Sequence, residues 1–202
     1  MKEPGKSSGM QFHRRAFLQG SGAVAAATAI SGGAAEAATK AARVVRSKTK
    51  ITLHVNGADH QVEVEPRETL LEVLRYQLDL TAAKPVSSDG SSGASTVLVD
   101  GKPMTASTLL ALACRGKKIE TCEAVSSHHP DKVCEAFVKH DSLQCGFCTP
   151  GFVVAVRAFL KRHPNATREQ IRQGLNGNLC RCGTYADMIE AVTDLVKGGG
   201  NG

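Results

Sequence analysis

The sequence predicts an α+β protein: a small mixed β-sheet packed on one helix, followed by a helical second half. Two patterns predict this class. Between residues 50 and 125, segments that alternate apolar and polar side chains are interrupted by Asn-Gly and Asp-Gly, which is typical of β-hairpins. From about residue 126 onward, apolar side chains recur at helical spacing. The chain is accordingly divided into one domain at residues 50–125 and a second at residues 126–197.

The first domain contains a hairpin, a helix, a second hairpin and a strand, in that order. The segment ITLHVNGADHQVEVEP predicts a hairpin that turns at Asn56-Gly57, and STVLVDGKPM predicts another at Asp100-Gly101. The helix between them lies behind Pro66, within PRETLLEVLRYQLDL. One helical face is apolar and consists of Leu70, Leu71, Val73, Leu74 and Leu78. The segments TLLALAC and KKIETCEAV favour a short helix and a closing strand, which together give a β-grasp arrangement.

Four helices are predicted in the second domain. They lie in KVCEAFVKH, GFVVAVRAFLKR, TREQIRQGL and YADMIEAVTDLV. Thr167 and Gln170 are placed as a capping box for the third helix. The last residues, 198–202, predict a flexible tail because they are mostly glycine.

The first 37 residues predict an export signal. Arg14 and Arg15 precede the weakly apolar run AVAAATAI, and AEAA offers an Ala-x-Ala cleavage site after Ala37. A twin-arginine signal of this kind directs a folded protein to the periplasm. The apolar run is far shorter than the roughly 20 residues of a membrane-spanning helix, so no stable membrane span is expected. The alternative is an alanine-rich disordered tail, which the order of the three features disfavours.

Charge and composition argue against a nucleic-acid partner. The net charge is only +6, aromatic residues make up 4% of the chain, and tryptophan is absent. A nucleic-acid-binding face usually combines a dense basic patch with aromatic side chains. The basic segment at residues 38–49 is therefore interpreted as a solvated linker.

Four of the seven cysteines form two close pairs. Cys145 and Cys148 lie in QCGFCTPG, and Cys180 and Cys182 lie in GNLCRC. Each pair falls where a helical segment meets a loop, so two turns can bring four thiolates to one metal centre. Two disulfides or four buried thiols are the alternative, although a disulfide across one intervening residue is strained. Four thiolates suit either structural zinc or a [2Fe–2S] cluster, and the spacing does not distinguish them.

A second set of residues has the spacing of cluster ligands without the sulfur. Ser87, Ser92 and Ser95 are separated by four and then two residues, and Ser107 follows after eleven more. This is the ligand spacing of a plant-type [2Fe–2S] loop with serine at all four positions. Serine offers a hard and poorly acidic oxygen, whereas these clusters favour soft thiolates. We therefore expect no cluster in this loop.

The remaining cysteines, Cys114, Cys122 and Cys134, do not have the spacing of a ligand set. One of them is expected to be a free thiol in a hydrophobic core. A disulfide between Cys114 and Cys122 after export is the alternative. The pair His128-His129 is interpreted as part of a solvated loop, because no metal-binding partner lies nearby in the sequence.

The cysteine motifs QCGFCTPG and GNLCRCGTY resemble those of the small iron–sulfur subunit of the xanthine oxidase family of molybdenum hydroxylases. The segments LHVNG, ETLLEVLR, GASTVLVDGKP and KHDSLQCGFCTPG are similar to the same family, and the resemblance extends from about Lys50 to Lys197. With its export signal, the chain is most similar to the small subunits of periplasmic aldehyde oxidoreductases. The stretch that contains Ser87, Ser92, Ser95 and Ser107 departs from the family, which has four cysteines there and a glycine where this chain has Val86. Gly90, Gly93 and Ala94 nevertheless keep their family positions.

The resemblance implies a non-catalytic, electron-transfer subunit of an oxidoreductase with a plant-ferredoxin-like first domain. Cys145, Cys148, Cys180 and Cys182 would ligate a [2Fe–2S] cluster, and Gln144 and Cys148 would lie near the pterin. An aldehyde or related substrate would be oxidised at a molybdopterin cofactor in a large partner subunit. Electrons would continue to an FAD subunit or a cytochrome. The serines predict one cluster where the family has two. A zinc-stabilised or cluster-free scaffold subunit without a redox role is the alternative.

Overall fold

A five-stranded mixed sheet forms the first part of the described chain. The computed structural model describes residues 46–126 and 131–198. The strands are β1 (Thr49–Val55), β2 (Ala58–Val64), β3 (Thr96–Val99), β4 (Lys102–Thr105) and β5 (Lys118–Glu120). Their order in the sheet is β2-β1-β5-β3-β4. Strand β5 runs parallel to β1 and antiparallel to β3, so the last strand of the sheet is inserted between the two hairpins.

Both predicted hairpins are confirmed, and their turns explain the dipeptides at their tips. Asn56 and Gly57 have φ angles of 52° and 85°, and Asp100 and Gly101 have φ angles of 50° and 75°. Positive φ at both central residues is the conformation of the type I′ turn, which glycine, asparagine and aspartate adopt most easily. The turn therefore sets the register of each hairpin, with Val55 opposite Ala58 and Val99 opposite Lys102.

The sheet packs on helix α1 (Leu70–Tyr76), whose first turn is held by a capping box between Thr69 and Glu72. The helix is shorter than the predicted segment. Asp79 has a φ angle of 55°, and the Leu80 N–H donates to the carbonyl of Leu74 at 2.8 Å. A left-handed residue with this bonding pattern ends a helix. Leu78 consequently lies beyond the helix, although it still packs against the core of the sheet.

The remaining elements are helical. A short 3-10 helix (Ala111–Cys114) precedes β5, and the α-helices that follow it are α2 (Glu123–Ser126), α3 (Lys132–Lys139), α4 (Thr149–Arg162), α5 (Arg168–Gly174) and α6 (Tyr185–Lys197). Helices α3 to α6 confirm the four predicted helices. Helix α2 was not predicted, because a single turn carries no periodic pattern. The closing strand is also shorter than its predicted segment and ends at Glu120.

Two buried apolar clusters are joined by a third. The first lies between the sheet and α1 and includes Leu53, Leu70 and Ile119. The second lies among the helices and includes Phe137 and Phe152. Leu98 of β3 packs with Val154 and Ala158 of α4 in the small joining cluster. The α+β class is therefore confirmed, and the sheet and the helices share a packed boundary.

Several predicted segments lie outside the described residues. These are the export signal at residues 1–37, the linker as far as residue 45, His128-His129, and residues 199–202 of the tail. Within the described residues, no helix combines the length and the apolar character needed to cross a membrane.

Candidate metal centre

The first cysteine motif forms the turn between α3 and α4. Gly146 has a φ angle of 75°, which lets the chain turn sharply between Cys145 and Cys148. Cys148 is the N-cap of α4, and a proline follows within the first two helical positions, where proline is well tolerated. Cys145 is exposed and Cys148 is half-buried.

The second cysteine motif lies between α5 and α6. Cys180 is buried, and its backbone N–H donates to the hydroxyl oxygen of Tyr185 at 2.6 Å. Its Sγ lies 3.2 Å from the hydroxyl oxygen of Thr184, the N-cap residue of α6. Cys182 is half-buried and precedes Gly183, whose φ angle is 87°. Two residues therefore hold Cys180 in place: Thr184, which caps α6, and Tyr185, the first residue of that helix.

The structure brings the two motifs together crosswise. The Cys145 and Cys182 side chains lie close enough for each to shift the pKa of the other. The Cys148 and Cys180 side chains likewise shift each other's pKa. Each pair therefore takes one cysteine from each motif.

The pKa values of the four thiols differ because their surroundings differ. Burial alone would raise the pKa of Cys180, but hydrogen bonds from Thr184 and from the Cys148 thiol lower it to about 7. The pKa of Cys145 is lowered chiefly by the backbone N–H of Phe147, which donates to its sulfur. Burial raises the pKa of Cys148 to about 12, and its hydrogen bond to Cys180 adds to the rise. Each close pair therefore contains one thiol that ionises more readily than its partner.

The donor set fits a two-iron group. A structural zinc needs four ligands around one point, whereas a [2Fe–2S] cluster takes two ligands on each of two irons. Two thiol pairs correspond to the second pattern. The buried Thr149 hydroxyl, which follows Cys148, also has no hydrogen-bond partner within the described residues.

The four serines also come together in two pairs. The hydroxyl oxygens of Ser87 and Ser92 are 2.8 Å apart, and Ser95 donates to Ser107 at 3.0 Å. The Ser92 backbone N–H donates to the Ser87 hydroxyl at 3.1 Å, and the Ser107 N–H donates to the Ser95 hydroxyl at 3.3 Å. We call residues 84–96 together with Ser107 the serine loop. Its hydroxyl groups satisfy one another and the neighbouring backbone.

The other three cysteines lie apart from these pairs. Cys114 is buried in the core of the sheet, as expected for a core thiol. Burial raises the pKa of Cys122 to about 12 and that of Cys134 to about 11. All seven cysteines are free thiols in the structure, including Cys114 and Cys122. The predicted cofactor-side residue Gln144 is exposed next to Cys145.

Sequence reasoning missed four residues that surround the cysteine motifs. Thr184 and Tyr185 contact Cys180, as described above. Asn178 is 6% exposed, and its side-chain N–H donates to the Gly93 carbonyl at 2.9 Å. The Lys84 ammonium lies 5.6 Å from the centre of the Phe147 ring. Three of the four, Asn178, Thr184 and Tyr185, belong to the segment GNLCRCGTY. Their position beside the cysteines is the sequence feature from which they could have been predicted.

Comparison with known proteins gives the family. The family described as "[2Fe-2S] binding domain" matches residues 121–193, which include both cysteine motifs. The aldehyde oxidoreductase iron–sulfur-binding subunit of Escherichia coli O157:H7 is 37% identical over 91% of this chain and 87% of its own length. The nicotine 6-hydroxylase small subunit of Paenarthrobacter nicotinovorans is 39% identical over 76% of this chain and 93% of its own length. This chain belongs to the iron–sulfur small subunits of the xanthine oxidase family of molybdenum hydroxylases.

The structure agrees with that membership. A chain of quinoline 2-oxidoreductase from Pseudomonas putida 86 superposes with a TM-score of 0.73 and 35% identity, covering 77% of this chain and 98% of that one. The family described as a twin-arginine translocation pathway signal sequence matches residues 11–31 of this chain. The predicted signal is confirmed, and the exported protein is periplasmic.

Proposed function

We propose that this chain is the electron-transfer subunit of a periplasmic molybdenum hydroxylase and carries a single [2Fe–2S] cluster. The observation that carries the proposal is the crosswise pairing of Cys145 with Cys182 and of Cys148 with Cys180. A [2Fe–2S] cluster accepts and donates one electron at a time. The chain itself does not oxidise the substrate, and its residues position the cluster and adjust its potential.

Each thiol pair is proposed to ligate one iron. Metal ligation requires thiolates, and Cys180, whose pKa is lowered to about 7, is about half ionised at neutral pH. The Thr184 hydroxyl that lies at its sulfur can donate a hydrogen bond to the thiolate. Such hydrogen bonds to ligand sulfur are among the features that set the reduction potential of a cluster.

The partner is proposed to be a large subunit that carries the molybdopterin cofactor and docks over the exposed side of the cysteine turns. Four apolar side chains there are between 36% and 53% exposed, namely Leu143, Phe147, Leu179 and Tyr185. All four lie in or directly beside the two cysteine turns, and an exposed apolar patch is typical of a protein interface. Gln144 stands among them and is proposed, with Cys148, to lie near the pterin.

For the substrate and the final electron acceptor, we propose a chemical class rather than a single molecule. The relative that covers 91% of this chain is named as a subunit of aldehyde oxidoreductase, and others are named for nicotine and nicotinate. We propose an aldehyde or a related substrate. Electrons leaving the cluster would pass to an FAD subunit or to a cytochrome.

The serine loop is proposed to hold no cluster. Its backbone N–H groups at Ser92 and Ser107 donate to serine hydroxyls, and the four hydroxyls are hydrogen-bonded in pairs. The loop is therefore closed by its own hydrogen bonds. Hard hydroxyl oxygens are also poor ligands for iron–sulfur clusters, which favour thiolates.

Metal analysis of the purified complex tests the proposal, together with electron paramagnetic resonance of the reduced protein. We expect about two irons per small subunit and one [2Fe–2S] signal, since one cluster of this type holds two irons. Replacing Cys182 by serine should remove most of this iron. Replacing Cys134, which lies outside both thiol pairs, should leave it in place.

Two results would contradict the proposal. One zinc per chain without iron would indicate a zinc-stabilised interaction module. Molybdenum cofactor in the complex, with no metal at all in the small subunit, would indicate a scaffold without a redox role.

A further inference from the structure

The serine loop touches both cysteine turns of the metal centre. The backbone N–H of Leu179, the residue before Cys180, donates to the Ser92 carbonyl at 2.9 Å. The neighbouring Asn178 side chain donates to the Gly93 carbonyl at 2.9 Å. On the other turn, the Lys84 ammonium lies 5.6 Å from the centre of the Phe147 ring, between Cys145 and Cys148, within reach of a cation–π interaction. Backbone and side chains of one loop therefore contact both ligand turns.

The closest approach is at Gly93. Its φ angle is 65°, and a Cβ atom there would lie 2.2 Å from the carbonyl oxygen of Gly177. From the helix side, a Cβ at Gly151 would lie 2.6 Å from the carbonyl oxygen of Gly93. Both values are far below any tolerated contact distance. The two glycines thus allow the serine loop, the Cys180 turn and the start of α4 to pack backbone against backbone.

We propose that the serine loop positions the Cys180 turn, with Gly93 and Asn178 as its main positioning residues. The proposal rests on the proposed function in that the positioned centre is the one that holds the cluster. It goes beyond that function because it assigns a task to a domain that has no cluster ligands of its own. In this view the ferredoxin-like loop no longer relays electrons itself and acts as a rigid support for the remaining centre.

The burial of Asn178 explains why the contact is effective. A buried amide that loses its acceptor leaves two polar groups unsatisfied, so the Asn178 to Gly93 bond strongly favours one arrangement of the turn. Residues that hold metal ligands in place from outside commonly influence metal affinity and potential. Any shift of the Cys180 turn would change the hydrogen bonding and solvent exposure of the ligand sulfur, and with them the potential.

The test compares two pairs of variants in the full complex. Gly93→Ala is matched by Gly57→Ala, because both glycines have positive φ but Gly57 has no atom within 4 Å of an added Cβ. Asn178→Ala is matched by Asn176→Ala, an exposed position two residues away. We expect Gly93→Ala and Asn178→Ala to alter the electron paramagnetic resonance signal and the midpoint potential. We also expect them to lose iron to a chelator roughly 10-fold faster, the lower end of the usual effect of such supporting residues. The two controls should behave as the unmodified protein does.

The inference is overturned if Gly93→Ala and Asn178→Ala keep the signal, the potential and the rate of iron loss of the unmodified protein. A measurement on metal-free protein keeps it separate from the proposed function. There, hydrogen exchange of residues 177–183 should be faster in both variants than in their controls. If the unmodified protein binds no iron, the proposed function fails, and unchanged hydrogen exchange would then overturn the positioning proposal as well.

Discussion

At the scale of single residues, the seven cysteines divide according to what surrounds each sulfur. Burial raises the pKa of Cys122 and Cys134, and the nearby Asp131 carboxylate adds to the rise. Cys145 is exposed, and a backbone N–H lowers its pKa. Burial would raise the pKa of Cys180, but the hydrogen bonds it receives lower it. At Cys145 and Cys180 the hydrogen bonds to sulfur outweigh burial, whereas at Cys122 and Cys134 burial and nearby carboxylates prevail.

This difference predicts selective alkylation of the metal-free protein. At pH 8 a thiol with a pKa of about 11, such as Cys134, is only roughly 0.1% thiolate, whereas the lowered pKa of Cys145 keeps a larger fraction of its thiol ionised. Because the thiolate is the nucleophile and Cys145 is also the more exposed thiol, Cys145 should react with iodoacetamide many times faster than Cys134. Raising the pH toward 11 should narrow the ratio, since Cys134 then ionises. Mass spectrometry of labelled peptides measures both rates, and equal rates at pH 8 would contradict the prediction.

At the scale of elements, helix ends are secured by local hydrogen bonds. Thr69 accepts from the backbone N–H of Glu72 at 3.2 Å, and the Glu72 carboxylate accepts from the Thr69 N–H at 2.8 Å. The same reciprocal pattern joins Thr167 and Gln170 at the start of α5. Backbone groups at the first turn of a helix lack partners within the helix, so these caps satisfy donors that would otherwise be exposed or orphaned.

The cap of α1 can be tested by substitution. Thr69→Ala removes the side-chain acceptor and should lower the free energy of unfolding by about 1 kcal/mol. Thr69→Ser keeps the hydroxyl and should stay close to the unmodified protein. Urea unfolding followed by circular dichroism measures the difference. An alanine variant as stable as the serine variant would show that the cap contributes nothing.

At the scale of the whole molecule, the sheet and the helices share a packed boundary at which the two ligand-like loops meet. Leu98 packs on α4 through Val154 and Ala158, and the serine loop contacts the cysteine turns beside this cluster. The four serines therefore lie in two hydrogen-bonded pairs within a loop that packs directly on the Cys180 turn.

Replacing the four serines of the serine loop by cysteine should allow the loop to bind a [2Fe–2S] cluster. Replacing Ser87, Ser92, Ser95 and Ser107 by cysteine should raise the iron content from about two to about four per chain, because each [2Fe–2S] cluster holds two irons. A second resonance signal and faster reduction of an artificial acceptor should accompany the gain. The matched control is Ser88→Cys with Ser91→Cys, which adds thiols to the same loop at exposed positions and should add no cluster. Unchanged iron in the fourfold variant would mean that the loop has diverged beyond its ligands.

Features that depend on residues close together in the sequence were predictable, whereas contacts between residues far apart in the sequence were not. Turns at Asn56-Gly57 and Asp100-Gly101 and the cap at Thr167 were predictable because they depend on residues within a few positions of one another. The end of α1 was missed because it is formed by Asp79, which has a positive φ angle although it is not glycine. Asn178 was missed because its partner Gly93 is 85 residues away.

The sequence by itself determined the α+β class, the hairpins, most helix boundaries, the export signal and the two sets of ligand-spaced residues. Each of these follows from local preferences or from spacing along the chain. The tertiary structure alone decided that Cys145 meets Cys182, that Cys148 meets Cys180, and that the serine loop packs against the Cys180 turn. These contacts join distant segments, and they form only when the sheet and the helices pack together through their apolar clusters.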